Sequence, residues 1–150
     1  MAQQVCPFCQ GKKVVQLSAA SLPELCPVCR GMGVLEDPGL FFVYEITLQL
    51  AANVKQFPFQ QNILNRPFRW LFAMATSTGP FSALIQDGST QRNFSNQEVH
   101  VNNLFGNSQN PFPLLTPYQF NQKGQISGTM SDLSGAPNNV RMAFAGVELN

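Results

Sequence analysis

All four cysteines of this 150-residue chain fall in its first 29 positions, as Cys6-Pro-Phe-Cys9 and Cys26-Pro-Val-Cys29, and none follows. So short a segment cannot bury a sufficient core. It has only Phe8, Val14, Val15, Leu17, Leu22, Leu25, Val28 and Leu35 to try with, so it needs a staple. Nearly all aromatic residues lie beyond Asp37-Pro38-Gly39, including most of the 13 Phe. Two modules are implied: residues 1–37, stabilised through cysteine chemistry, and residues 38–150, stabilised by an aromatic core.

The two Cys-x-x-Cys pairs stand sixteen residues apart, within the spacing of a four-cysteine zinc module. Each pair places two thiolates on one side of a tight turn. Four thiolates close a tetrahedral shell around Zn²⁺ and leave no position for a catalytic water, so the expected site is structural, with Cys6, Cys9, Cys26 and Cys29 as ligands. The start, Met1-Ala-Gln-Gln, lacks the basic residues and apolar run of a signal peptide, so a reducing cytoplasm is expected, where paired cysteines point to metal before disulfide. The competing reading is a redox dithiol. Redox motifs usually come singly on a βαβ scaffold, whereas here two copies match. Gly11, Gly31 and Gly33 suit the turns beneath the knuckles because glycine tolerates positive φ. Ser21-Leu-Pro-Glu24 has capping-box spacing, readable as one helical turn or as a loop.

The repeated Cys-x-x-Cys-x-Gly-x-Gly pattern resembles the zinc-binding region of DnaJ-type chaperones. Its second copy is complete; the first has Lys13 where the last glycine belongs. The likeness covers about 30 residues and implies metal binding rather than chaperone activity, because no J-domain accompanies it and there is a single site.

Beyond Gly39 the pattern changes to period two. Tyr44, Ile46, Leu48 and Leu50 alternate with Glu45, Thr47 and Gln49, as in a strand with one wet face. Further strands are predicted over Phe68–Thr76, Phe81–Gln86, Val99–Leu104, Gln125–Ser131 and Val140–Leu149. Turn signals separate them, among them Ser77-Thr-Gly-Pro80, Asp87-Gly88 and Ser134-Gly-Ala-Pro-Asn-Asn139. No stretch past residue 40 keeps a helical stripe. The fold expected is mostly β: an antiparallel sandwich, jelly-roll-like, with barrel closure as the alternative. Strict alternation places Trp70 and Phe72 on the inner face with Tyr44, Ile46 and Leu48.

Only 11% of residues are charged, against roughly 25% in an average protein, and the net charge is +1. Residues 38–150 hold 13 Asn and 11 Gln beside 11 charged side chains, so neutral amides do much of the hydration. Without clustered cations, nucleic-acid binding through phosphate neutralisation is disfavoured. No apolar run approaches membrane-spanning length. Catalytic groups are equally sparse. His100, the only histidine, sits in a strand-like Glu98-Val-His-Val, and Glu45, Asp87, Glu98, Asp132 and Glu148 are scattered rather than paired, so no enzyme activity is expected. Trp70 reads as core rather than as a base-stacking platform.

Phe112-Pro-Leu-Leu-Thr-Pro-Tyr-Gln-Phe, Gly124-Gln-Ile-Ser-Gly-Thr-Met-Ser-Asp-Leu-Ser and Asn139-Val-Arg-Met-Ala-Phe-Ala-Gly-Val-Glu-Leu149 together look like tailed-bacteriophage virion proteins of the small β-sandwich type. The likeness spans about 40 residues, or about 80 with Phe68-Arg-Trp-Leu-Phe-Ala-Met-Ala-Thr as an inner strand. It implies a virion part, capsid-decorating or cementing, made in the host bacterial cytoplasm and carried on the capsid surface. Its partners would be the major capsid protein and copies of itself. Two other classes stay open: a tail or receptor module binding carbohydrate through exposed aromatics, and an intracellular zinc-bearing adaptor using Lys12, Lys13 and Arg30.

Overall fold

Alternation of apolar and polar side chains dictates long strands, and the computed structural model has them. It describes residues 4–6, 8–10, 12, 14–15, 24–26, 34–35 and 40–149. Four two-residue strands come first: β1 (Gln4–Val5), β2 (Val14–Val15), β3 (Glu24–Leu25) and β4 (Val34–Leu35). Then follow β5 (Leu40–Leu50), β6 (Phe57–Asn62), β7 (Phe68–Ser77), β8 (Phe81–Asp87), β9 (Arg92–Asn93) and β10 (Val99–His100). A single helical turn, α1 (Val101–Leu104), precedes β11 (Phe112–Phe120), β12 (Gln125–Asp132) and β13 (Asn138–Glu148).

One sheet has the order β11-β7-β13-β5 and the other β10-β8-β12-β6, with β9 also on β8. All these ladders are antiparallel. With β9 set aside, the eight strands from β5 pair first with last, second with seventh, third with sixth and fourth with fifth, namely β5–β13, β6–β12, β7–β11 and β8–β10. This nested pairing, folded over into two sheets, is a jelly roll. The expected mostly-β antiparallel sandwich is therefore present, in its jelly-roll form.

Between the sheets lies one aromatic-rich core. Trp70 stands 5.1 Å from Phe144 and 5.5 Å from Phe94, Tyr44 meets Phe68 edge-on at 4.9 Å, and Tyr118 meets Phe120 at 5.0 Å. Phe68, Phe81, Phe120 and Phe144 are fully buried. On β5 the alternation holds, with Tyr44, Ile46 and Leu50 buried and Glu45, Thr47 and Gln49 exposed.

On β7 it does not. Against β13 the register steps from Phe72 opposite Ala145 to Trp70 opposite Gly146, so Leu71 is an extra residue, a β-bulge. The extra residue reverses the parity. Phe68 and Trp70 point inward, then Ala73 does, and Phe72 joins Leu71, Val147 and Leu149 in a separate cluster on the outward face. The expectation that Phe72 shares the inner face with Trp70 is thus corrected. Gly146 permits the bulge, because a Cβ there would run into the Arg69 carbonyl oxygen, a backbone atom that cannot swing away. Gly146→Ala should therefore cost about 1–3 kcal/mol, the usual range for overpacking, read as a lower urea midpoint. An unchanged midpoint would show that the ladder relaxes without difficulty.

Three further expectations are revised. The segment Val99–Leu104 is strand only to His100, whose Nδ1 accepts from the Asn102 N–H and starts α1 instead. Glu24 belongs to β3 rather than to a helical turn, and Ser21 to Pro23 lie outside the described residues. The strands β6 and β11 were not expected, since they carry Pro58 and Pro113 with Pro117. Both are edge strands, where a missing N–H breaks no ladder. The proposed boundary at Pro38 also lies outside the described residues.

One end of the sandwich is knitted by two buried polar side chains. Asp132 accepts from the N–H of Asn53, Ser134 and Gly135 and from the Ser134 hydroxyl, at 2.7–3.1 Å. Asn138 donates to the carbonyls of Gly79 and Pro80 and accepts from the Gly79 N–H. The Ser134 hydroxyl, the Asn53 and Ser134 N–H groups and the Asn138 amide hold the Asp132 carboxyl far below the usual carboxylate range. Burial alone would raise Asp87, but the Tyr118 hydroxyl at 2.8 Å and the N–H groups of Ser89 and Thr90 outweigh it and lower that carboxyl too. Both groups bind protons less readily folded than unfolded, where Asp titrates near about 3.9. Their contribution is thus complete above about pH 5 and fades as pH falls below about 4 toward the folded values. Thermal melts should show this acid limb, and Asp132→Asn should make it shallower. A melting temperature independent of pH from about 5 down to 2.5 would contradict it.

Candidate metal centre

Two small ribbons bring the first cysteine pair and Cys26 together. Cys6 directly follows β1 and Cys26 directly follows β3. Strand β1 pairs with β4, with Val5 opposite Val34, while β2 pairs with β3, with Val14 opposite Leu25. The chain therefore passes from one ribbon to the other between β1 and β2, and back again between β3 and β4. The first closes as a tight turn, with the Lys12 N–H donating to the Cys9 carbonyl at 2.9 Å and Gln10 in the left-handed region at φ 50°. The residue in the strained position is Gln10, one before the glycine expected to relieve the turn; Gly11 lies outside the described residues.

The Sγ atoms of Cys6, Cys9 and Cys26 all lie within 4.8 Å of one another, and all three residues are buried. Cys6 and Cys26 are 3.8 Å apart at sulfur, far beyond a disulfide bond. That spacing has a direct chemical meaning: ligands at about 2.3 Å from a tetrahedral ion stand about 3.8 Å from each other. Burial pushes the Cys6 thiol up, while the N–H groups of Cys9 and Phe8 pull the other way by donating to its sulfur. A bound cation would reverse the burial effect by taking the thiolate. Three of the four expected ligands thus share one pocket whose described donors are all sulfur, a set that suits soft or borderline metals. Cys29, the fourth, lies outside the described residues, as do Lys13 and Arg30; Lys12 is exposed.

Beside this trio sits Phe8, between Cys6 and Cys9 in sequence. Its ring centroid is 5.1 Å from that of Phe72, the residue turned outward by the β7 bulge. Nothing in residue order pointed to this contact, since the outward direction of Phe72 depends on one extra residue in a ladder.

The other residues singled out are dispersed. His100 is half-buried at the end of β10. Glu98 accepts from Ser82 and Thr129 at 2.8 and 2.9 Å, Glu148 accepts from Tyr44 at 3.3 Å, and Asp87 and Asp132 hold turns together. Glu45 is exposed on β5. Trp70 is buried, with its indole N–H donating to the Phe72 carbonyl at 2.7 Å. Among the described residues no helix is long and apolar enough to cross a membrane. No protein-family model, curated protein or solved structure matches the chain.

Proposed function

We propose that this chain is a non-enzymatic virion structural protein of a tailed bacteriophage, a capsid-decorating or cement protein that binds the major capsid protein and copies of itself. The observation carrying this reading is the jelly-roll strand order, an architecture used repeatedly in viral capsid domains. The likeness over Phe112 to Leu149 agrees with it, and so does an amide-rich, charge-poor surface that lets identical subunits approach without repulsion. Attachment then rests on apolar and hydrogen-bonded contacts and is weakened only mildly by moderate salt. Purified particles should carry the protein in numbers near those of the shell protein. A few copies per particle, at the tail, would instead favour a receptor-binding role. Lectins also use jelly rolls, and Phe41, 70% exposed on β5, is the kind of aromatic a sugar ring stacks on.

The cysteine centre fits a structural Zn²⁺ held by Cys6, Cys9, Cys26 and Cys29, which would fix a module otherwise short of core. In support stands the 3.8 Å spacing of two sulfurs in a pocket of three buried cysteines. Elemental analysis of protein purified without added metal should find about one equivalent of zinc. Less than about half an equivalent, with four reactive thiols, would exclude the site.

A further inference from the structure

The outward face of the β11-β7-β13-β5 sheet is wet at one end, where Glu45, Thr47, Gln49 and Arg141 are exposed, and apolar at the other. Val147 and Leu149 point away from the main core by the alternation of β13, and the bulge residue Leu71 clusters with them, yet all three are only 6–7% exposed. Phe72 completes this cluster, and its ring is met by Phe8. Phe8 is in turn held from both sides, because Cys6 and Cys9 send their sulfurs into the trio with Cys26. Farther along the same face, the ladder places Phe41 opposite Val147 and Val43 opposite Ala145, and there the apolar surface is open, with Phe41 70% and Val43 37% exposed.

From this juxtaposition we infer that the metal centre is a latch: the ion fixes the first knuckle so that Phe8 seats on Phe72 and keeps Leu71, Val147 and Leu149 covered, and loss of the ion uncovers them. This rests on the metal reading above. On this reading the covering element is this chain's own first knuckle, which reaches the cluster through the Phe8–Phe72 ring contact. When the ion leaves, nothing holds the Cys6 to Cys9 turn in shape, since so short a segment has too little core to order itself. The uncovered cluster then joins the open strip at Phe41 and Val43. Metal occupancy in this way sets the size of one apolar patch on the β domain, and large exposed patches mark association surfaces.

The molecule carries its own reporter. Its single tryptophan, Trp70, is hydrogen-bonded to the carbonyl of Phe72, so motion at Phe72 reaches the indole directly. Full-length protein is compared with and without a strong zinc chelator, following emission of 8-anilinonaphthalene-1-sulfonate, Trp70 fluorescence and far-ultraviolet dichroism. Chelation should raise dye emission about threefold and shift the Trp70 spectrum while the strand signal persists. Phe8→Ala should give the same two changes with zinc still bound at one equivalent, because it removes the ring and keeps the ligands. If Phe8→Ala matches the parent in dye binding and Trp70 emission, the latch is wrong even where the zinc content is right. If the parent holds no metal but Phe8→Ala still uncovers the face, the metal reading and its control of the latch fail, and Phe8 is a plain packing contact. If chelation strips the zinc without changing either signal, the latch is likewise refuted.

Discussion

Cys26→Ser is expected to abolish stoichiometric zinc binding and to melt residues 1–37 while the jelly roll stays folded. Structural zinc in small modules supplies about 10–16 kcal/mol of apparent binding energy at neutral pH, and in such modules that energy is the folding energy. Among the described residues of the first segment the buried cluster is Cys6, Cys9 and Cys26, with Phe8 packed against them. The β domain, by contrast, owns a core of rings that includes Trp70, Phe68, Phe120 and Phe144. Elemental analysis should show the metal gone. Limited proteolysis should trim the chain to a stable fragment beginning near Leu40, with most of the strand dichroism retained. If one transition removes both modules together, the cover over Phe72 is a condition of the β fold itself and the division into two modules is wrong.

Phe144→Ala should be the most damaging single truncation in the β domain, at about 3–5 kcal/mol. Phe144 is fully buried on the central strand β13 and touches both Trp70 at 5.1 Å and Phe105 at 6.4 Å, so its removal leaves a cavity that two rigid rings border. Phe72→Ala should cost less, about 1–2 kcal/mol, because Phe72 is half-buried on the outward face and its neighbours can settle. Urea denaturation of the two variants decides the matter. Equal losses, or a larger loss at Phe72, would return Phe72 to the inner face and remove the bulge from the account.

The comparison of these two phenylalanines also shows where sequence reading reaches its limit. A strand's face is legible while the period of two holds, as it does from Tyr44 to Leu50. One inserted residue at Leu71 reverses every later side chain of β7, and the residue that permits it is a glycine on another strand, Gly146, far away in sequence. Strands β6 and β11 were hidden for another reason. Proline lowers the reading of any strand, and only the sheet order reveals that both segments are edges where proline does no harm. The nearness of Cys6, Cys9 and Cys26 was the most legible part, since residues able to share an ion recur in close pairs and that spacing is visible in the chain itself. What could not be read was its neighbour Phe8, whose partner is set by the three-dimensional course of β7. Asp132 and Asn138 were similarly opaque: one read as a scattered carboxylate and the other as part of a turn, and their value lies in loops brought together from three parts of the chain.

The nested pairing of the jelly roll also orders events in time. Strands β12 and β13, spanning residues 125–148, are each a middle strand of one sheet, flanked by a partner on both sides. During synthesis the ribosome delivers them after the other strands of the jelly roll. Until they emerge, β5 has no ladder, β6 has none, and the two sheets have no centre around which to close. Within the two sheets only β8 with β9 and β10, and β7 with β11, can meet earlier, and they leave most of the rings of the core in water. The domain must therefore fold after its translation is nearly complete, in one late step dominated by distant contacts, which is the slow end of the range for domains of this size. During that interval the exposed rings are the hazard, so yield from expression should depend on temperature and chain concentration more steeply than the stability of the finished fold suggests.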